Sequence, residues 1–238
     1  MQNKISGYVF NNNKNIMEKV LSFLSKILLL TLLLMPTISM AGAAKAAMDG
    51  SFIQEWLCAR WSDARWQQEF TMMKNAGMHY LIIGPVAEWQ ADNTIITLYP
   101  STIPNTVLYS PLNGDDMVDR CLKNAEAAGI KVFIGIAMNQ NWWKAHGADT
   151  TWFYNQMESD NNVCDELWSH YKSKYPDAFY GWYWAYEIDN ISFATEAKQK
   201  ELYTGMNIQL DHLTSTGEKL PFMWCPFMNS DLGTADAY

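Results

Sequence analysis

The sequence predicts an α/β fold in which helices cover a parallel sheet. Short apolar runs alternate with amphipathic helical segments through most of the chain, a pattern that is typical of repeated βα units. Two helix-to-strand junctions also resemble each other, Asn75-Ala76-Gly77-Met78 and Ala127-Ala128-Gly129-Ile130. Gly77 and Gly129 lie 52 positions apart, which is the length of one βα unit with a long loop.

Five strands are predicted from apolar runs that end in polar or turn-forming residues. In chain order they are Gly50–Trp56, His79–Gly84, Lys131–Ala137, Phe179–Asn190 and Pro221–Cys225. The fourth run is the most apolar, so we expect it to be buried on both faces. Period-two alternation places Glu187 on the same face as Tyr183, whereas Tyr186 belongs to the opposite face and would pack against helices unless a bulge resets the alternation.

Four helices are predicted around these strands, at Asp63–Ala76, Met117–Ala128, Thr151–Tyr175 and Thr195–Ser215. Ser62 and Thr195 are suitable N-cap residues for the first and the last helix. The glycines of the two junctions end the first two helices at the position where a left-handed backbone is common. The connection Gln90–Asn113 is too apolar for a disordered loop, and Thr94–Tyr99 within it could form a small hairpin arm.

Residues 1–46 have the layout of a secretory signal peptide. Lysines precede the apolar run Ile27–Met35, which is shorter than the roughly 20 residues that span a bilayer. Cleavage is expected near Ala46, with Ala41 and Ala43 as alternatives, and Met1–Ile16 could precede the true start. We therefore expect residues 47–238 to be secreted or to lie at the cell surface, with no membrane span.

The charge of the mature chain limits its partners. Removal of residues 1–46 takes away five lysines and Glu18, which leaves 12 basic and 24 acidic side chains and a net charge of −12. This charge disfavours nucleic acid and favours a neutral or cationic ligand. The four cysteines lie far apart without a CxxC or paired histidines, so we predict neither a metal nor another cofactor. Cys121 and Cys164 fall in predicted helices and are expected to be buried free thiols.

Three glutamates lie at the ends of predicted strands or just after them: Glu55, Glu88 and Glu187. Because the carboxyl ends of parallel strands meet at one rim, these side chains should share a site. Glu187 is the candidate proton donor, since flanking aromatic rings would desolvate it and raise its pKa. Its alternative role is a helix N-terminal acid or a partner for a lysine. Glu55 and Glu88 are candidates for the second carboxylate or for hydrogen bonds to hydroxyl groups, with exposed loop acids as the alternative.

All eleven tryptophans follow the signal region, and flat rigid rings of this kind stack on the faces of sugars. Five of them lie at or just past strand ends and are predicted sugar platforms, although packing is the alternative for each: Trp56, Trp89, Trp142, Trp143 and Trp224. Asn139 and Asn141 offer the donors and acceptors that hydroxyl recognition requires. Tyr186 and Asn229 complete the predicted ligand contacts.

Five segments together carry a resemblance to a known family. They are Gly50–Trp56, Lys74–Met78, Ala128–Gly135, Gly181–Ile188 and Leu220–Phe227. Over about Asp49–Ser230 the chain resembles an uncharacterised bacterial family of secreted TIM-barrel proteins, a domain of unknown function described as candidate glycoside hydrolases. The resemblance implies a (β/α)8 barrel. A complete barrel has about 250 residues, whereas about five βα units fit here, so residues 47–238 are expected to be its N-terminal part, without the C-terminal half or further modules.

More distantly, Glu187 resembles the acid/base residue of the large retaining clan of barrel glycosidases. That clan has Asn immediately before its Glu, where this chain has Tyr186. Its nucleophile comes from the seventh strand, which this sequence does not reach. The resemblance implies a glycoside hydrolase that acts on a poly- or oligosaccharide. The alternatives are a carbohydrate-binding barrel without catalysis and an inactive truncated product.

Overall fold

The computed structural model describes residues 48–215 and 219–228. The predicted signal peptide and Asn229 lie outside the described residues. The seven strands are β1 (Gly50–Ile53), β2 (Tyr80–Trp89), β3 (Ile95–Thr97), β4 (Thr106–Leu108), β5 (Lys131–Asn139), β6 (Phe179–Asp189) and β7 (Phe222–Phe227). They form one sheet in the order β4-β3-β2-β5-β6-β7, with β1 paired to β2.

The parallel strands β1, β2, β5, β6 and β7 follow one another in the sheet, as repeated βα units require. β1 pairs with the first half of β2, and β3 pairs antiparallel with the last residues of β2 on the same edge. Of the five parallel βα strands in the described ranges, β1 and β7 each pair on one side only. The predicted TIM-barrel type is therefore confirmed as an open series of five βα strands that does not close into a barrel.

The helices are α1 (Glu55–Cys58), α2 (Asp63–Asn75), α3 (Met117–Ala128), α4 (Trp142–Ala145), α5 (Thr150–Leu167) and α6 (Glu196–Ser215). A π-helical turn, Trp168–Lys172, continues α5. The predicted cap of α2 is confirmed, because Ser62 Oγ accepts a hydrogen bond from the Arg65 amide. Gly129 ends α3 with a φ of 69°, the left-handed backbone that glycine adopts without strain.

Two predicted strand boundaries were wrong. The first strand ends at Ile53, and Glu55 and Trp56 belong to α1 instead, since the chain turns into a short helix there. The second strand does not stop at Gly84 but continues through a bulge at Pro85 to Trp89. The hairpin arm is confirmed in part, because β3 folds back on the end of β2 but pairs in parallel with β4.

Two apolar clusters hold the sheet and helices together. The larger one lies between the strands and helices α2, α3 and α5. The smaller one, which we call the rear cluster, lies behind β6 and contains Trp142, Phe153, Trp184, Tyr186 and Phe193. As predicted, Cys121 and Cys164 are buried free thiols; Cys58 is also buried, whereas Cys225 is exposed. None of the helices within residues 48–215 and 219–228 is both long and apolar enough to cross a bilayer.

Candidate functional site

An open cleft of about 620 Å³ lies at the carboxyl-terminal ends of the parallel strands. Glu55, Glu88 and Glu187 all line it, although they are separated by up to 132 positions in the sequence. Each comes from the end of a different βα strand or from the turn directly after it. None of the described residues that line the cleft is Lys or Arg, so its charge suits a neutral or cationic ligand.

Glu55 is the most enclosed of the three carboxylates. Its Oε2 is buried and has no hydrogen-bond partner among the described residues. This oxygen lies against Gly84, where an added Cβ would come within 2.0 Å of it. Burial raises the pKa of the Glu55 carboxyl and repulsion from Glu88 adds to the rise, while a backbone hydrogen bond opposes both. Glu55 therefore has the environment of a carboxyl group that retains its proton to a higher pH.

Tyr183 lies on the cleft face of β6, and the groups around it shift the pKa of its hydroxyl. Burial is the main cause that raises its pKa to about 12, and the neighbouring Cys225 thiol, Glu187 and Glu55 raise it further. Its ring packs edge-on against Phe52, with 5.7 Å between ring centroids. The Tyr183 hydroxyl is therefore a neutral donor placed in the field of two carboxylates.

Glu187 lies at the end of β6 with its residue exposed to solvent. The expectation that aromatic rings enclose it was wrong, because the strand alternates and the neighbouring rings of Trp184 and Tyr186 point to the rear cluster. Its backbone is nevertheless fixed, since Trp142 Nε1 donates a 2.8 Å hydrogen bond to the Glu187 carbonyl. Two residues on, the Asp189 carboxylate accepts hydrogen bonds from the amides of Ile191 and Ser192 in its own turn.

Glu88 is held by a residue that the sequence did not single out. Gln140 Nε2 donates to Glu88 Oε1 at 2.6 Å, and both side chains line the cleft. Gln140 follows directly after β5, so the strand-end rule that selected its neighbours could also have selected it. Tyr183 and Cys225 were missed as site residues too, although the alternation of β6 placed Tyr183 on the cleft face.

The five predicted tryptophan platforms divide into two groups. Trp56, Trp143 and Trp224 line the cleft with 59%, 50% and 38% of their surface exposed. Trp89 and Trp142 are buried and are not platforms, because Trp89 belongs to the larger apolar cluster and Trp142 to the rear cluster. Position after a strand end therefore does not decide exposure.

The predicted amide and tyrosine contacts do not reach the cleft. Asn139 and Tyr186 are buried behind the sheet, because each points to the rear face of its strand at that position. Asn139 Nδ2 donates to Gln156 Oε1 at 2.7 Å, and the Tyr186 hydroxyl donates to Asp160 at 2.8 Å. Asn141 is exposed next to α4 but does not line the cleft.

No group of three or more His, Cys, Asp or Glu side chains suited to a metal ion occurs in the ranges that the structure describes. His146 is a structural residue. Its Nδ1 faces the Trp142 carbonyl, and its Nε2 lies 3.0 Å from Asp189 and 3.1 Å from the Ser192 hydroxyl. It therefore joins α4 to the turn after β6.

The fold and the cleft define an α/β protein of TIM-barrel type with an acidic, tryptophan-lined site at the carboxyl ends of its strands. The chain belongs to the family described as a domain of unknown function, DUF4434, whose model matches residues 48–238. No functionally curated protein matches it.

Solved structures that are similar to the chain include two from Bacteroides species. A candidate alpha-L-fucosidase from Bacteroides thetaiotaomicron matches with a TM-score of 0.59 and 24% sequence identity, over 75% of this chain and 51% of that one. A glycoside hydrolase family 5 protein from Bacteroides vulgatus matches with a TM-score of 0.43 and 13% identity, over 74% of this chain and 35% of that one. The chain thus spans about half of the first structure and a third of the second, and the first supports the barrel-type fold.

Proposed function

We propose that this protein is a secreted glycoside hydrolase that acts on a poly- or oligosaccharide at the cleft. The observation that carries the proposal is the convergence of Glu55, Glu88 and Glu187 with three exposed indoles in one open cleft. Glycoside hydrolysis uses two carboxyl groups, one as acid and one as base or nucleophile. Exposed aromatic rings beside them supply flat apolar surfaces on which sugar rings stack. The fucosidase name of the first structural neighbour agrees with this proposal.

The environments of the carboxylates support different roles for Glu55 and Glu187. The raised pKa of Glu55 supports its role as the proton donor, because an acid catalyst must hold its proton at the working pH. Glu187 is exposed at the end of β6 and is assigned as the base or nucleophile. This reverses the sequence-based preference for Glu187 as the acid. Glu88, held by Gln140, is assigned to binding of sugar hydroxyls.

The test is hydrolysis of aryl glycosides and of a polysaccharide panel by the purified chain and by three variants. Glu187→Gln and Glu55→Gln should each lower turnover by about 10²- to 10⁴-fold, the usual contribution of general acid or base catalysis. Glu158→Gln is the matched control, since Glu158 is an exposed acid on α5 outside the cleft. Unchanged turnover in both cleft variants would contradict the proposal.

Substrates with good leaving groups separate the two roles. An aryl glycoside whose phenol leaves without protonation should restore most of the rate of Glu55→Gln, because the acid is no longer needed. The same substrate should not rescue Glu187→Gln. The opposite pattern would return the acid role to Glu187.

The second candidate is a carbohydrate-binding barrel that does not cleave its ligand. The three exposed indoles favour it, because such rings bind sugars without any catalytic group. The carbohydrate-binding barrel predicts that the wild type binds the polysaccharide panel and releases no reducing ends, and that Trp143→Ala weakens this binding. The glycoside hydrolase predicts release of reducing ends by the wild type. Secretion is tested separately by the mass of the exported chain, which should begin after Ala41, Ala43 or Ala46.

A further inference from the structure

A buried chain of hydrogen bonds runs behind the sheet to the edge of the cleft. Asp160 of α5 is fully buried, and its two carboxylate oxygens accept hydrogen bonds from Tyr186 Oη at 2.8 Å and Gln156 Nε2 at 2.7 Å. Gln156 Oε1 accepts from Asn139 Nδ2 at 2.7 Å. Asn139 Oδ1 accepts in turn from the Asn141 amide at 2.9 Å. We call these four side chains, Asp160, Tyr186, Gln156 and Asn139, the amide relay.

The relay has a direction that the Asp160 carboxylate sets. An ionised carboxylate only accepts hydrogen bonds, so Gln156 must turn its NH₂ group toward Asp160 and its oxygen toward Asn139. Asn139 must then donate to Gln156, which leaves Oδ1 facing Asn141. Each amide is therefore oriented by the one before it. Reversal of the relay would place the Asn139 NH₂ group against the Asn141 N–H, where two donors meet.

The far end of the relay is the segment that carries residues to the cleft. Asn141 directly precedes α4, and its carbonyl accepts hydrogen bonds from the amides of Lys144 and Ala145. The same segment carries Gln140, which holds Glu88, and Trp143, which lines the cleft. Displacement of the Asn141 amide would therefore move both of these side chains.

We propose that Asp160 is a positioning residue for the cleft, which fixes the start of α4 by setting the direction of the amide relay. Its effect on Gln140 and Trp143 follows from geometry alone, whereas its effect on turnover rests on the proposed glycosidase function. Asp160 contacts no ligand. It acts through Gln156 and Asn139.

The protonation state of Asp160 adds a pH dependence to this device. Burial raises its pKa to about 7, against the opposing hydrogen bonds from Tyr186 and Gln156. The titratable groups that face it are Tyr186 of β6 and Cys164 of α5, and burial raises the pKa of both above the neutral range. From α6, Gln209 approaches Cys164 at 3.8 Å. A protonated Asp160 donates a hydrogen bond itself, so Gln156 can turn over and the relay can reverse.

A compensating pair of substitutions tests the direction of the relay. N139D alone removes the donor to Gln156 and places two acidic groups at the ends of the relay. In the double variant N139D/D160N, the new amide at position 160 accepts from Tyr186 and donates to Gln156. Gln156 then donates to the new carboxylate at position 139, which still accepts from the Asn141 amide. All relay bonds are satisfied, with the charge moved to the other end, and a role of Asp160 in stability alone does not predict this recovery.

The measurement is backbone hydrogen exchange of residues 140–146, compared with residues 117–128 of α3 as an internal reference. N139D should raise exchange of the first segment by about tenfold relative to the second, since a lost buried hydrogen bond costs about 1–3 kcal/mol. D160N should raise it by about threefold, less than N139D, because the amide introduced at position 160 can either accept from Gln156 or donate to it and so no longer holds the relay in one direction. N139D/D160N should return to within about threefold of the wild type.

Every outcome decides the proposal. Wild-type exchange in N139D, or a double variant no better protected than N139D, would overturn it. If N139D does not fold, recovery of a folded, protected double variant supports the relay, and failure of the double variant overturns it. In the wild type, the protection of residues 140–146 from exchange, corrected for the intrinsic rate, should decrease as the pH is lowered through about 7, the pKa of Asp160. D160N should show no such pH-dependent change. None of these hydrogen-exchange measurements depends on catalytic activity. A failure of the glycosidase proposal, which is tested by turnover, can therefore be distinguished from a failure of the relay.

Discussion

On one face of β6, Tyr183, Ala185 and Glu187 line the open cleft, whereas on the other face Trp184 and Tyr186 lie in the closed rear cluster. The cleft face leaves a carboxylate in solvent. The rear face packs ring against ring, with Trp142 at 4.9 Å from Tyr186 and 5.9 Å from Trp184 between centroids. One strand therefore carries both the reactive groups and the support that holds them, and substitutions on the two faces should separate function from stability.

The largest effect is expected from Trp142→Ala on the rear face. Trp142 is fully buried, contacts four other rings of its cluster and donates to the Glu187 carbonyl. Its loss should lower the free energy of unfolding by about 4–5 kcal/mol, from the cavity and the unsatisfied carbonyl together. Urea denaturation measures this value. A loss below about 1 kcal/mol, the range of a surface change, would show that the rear cluster does not support the strand.

The pH dependence of the free energy of unfolding tests whether Asp160, the acid buried behind β6, ionises with a raised pKa. The pKa of Asp160 is about 7 in the folded protein, against 3.8 for an unperturbed Asp, so the folded state holds an extra proton between these values. The stabilisation of the folded state by protonated Asp160 is fully present below about pH 4 and is lost as the pH rises to 7. The free energy of unfolding should therefore fall by an amount on the order of 4 kcal/mol over this range. D160N should remove this fall. Parallel stability curves of the wild type and D160N between pH 4 and 7 would show that Asp160 does not titrate there.

A smaller effect is expected on the cleft side at Gly84. A Cβ at this position would meet Glu55 Oε2 at 2.0 Å, so Gly84→Ala must displace the Glu55 carboxylate toward solvent. We expect a loss of about 1–3 kcal/mol of stability, as for other overpacked sites, and a fall in the pKa of Glu55 toward its ordinary value. Thermal unfolding and the acid limb of a pH–rate or pH–binding profile measure the two effects.

The control for this change is the double variant G84A/E55A. It lacks the carboxylate, so the 2.0 Å contact should be absent and the 3.2 Å contact with the backbone nitrogen of residue 55 should remain. The stability cost of the alanine at position 84 should therefore fall. If Gly84→Ala lowers the stability equally with and without the Glu55 carboxylate, the glycine is required by the backbone of the strand and not by the carboxylate.

Much of this division could be predicted from the sequence. Period-two alternation along β6 assigned Tyr183 and Glu187 to one face and Tyr186 to the other, and the strand-end rule brought Glu55, Glu88 and Glu187 to one rim. The predictions that were wrong concern the environment of single side chains. Trp142 and Trp143 are neighbours after the same strand, yet α4 turns one into the rear cluster and the other into the cleft. A four-residue helix leaves no periodic pattern, so this difference depends on contacts with α5 and β6 that lie far away in the sequence.

The smallest effect is expected from Trp143→Ala, the matched partner of Trp142→Ala. Trp143 is half exposed at the edge of the cleft, so its removal should change the free energy of unfolding by no more than about 0.5 kcal/mol. Binding to the polysaccharide panel should weaken by about 0.5–1.5 kcal/mol, the usual contribution of one aromatic contact, or roughly two- to tenfold. Affinity electrophoresis and urea denaturation on the same preparation measure both values. The comparison fails if Trp143→Ala destabilises the fold as much as Trp142→Ala does, because both indoles would then be structural and the cleft would have two exposed platforms, Trp56 and Trp224, in place of three.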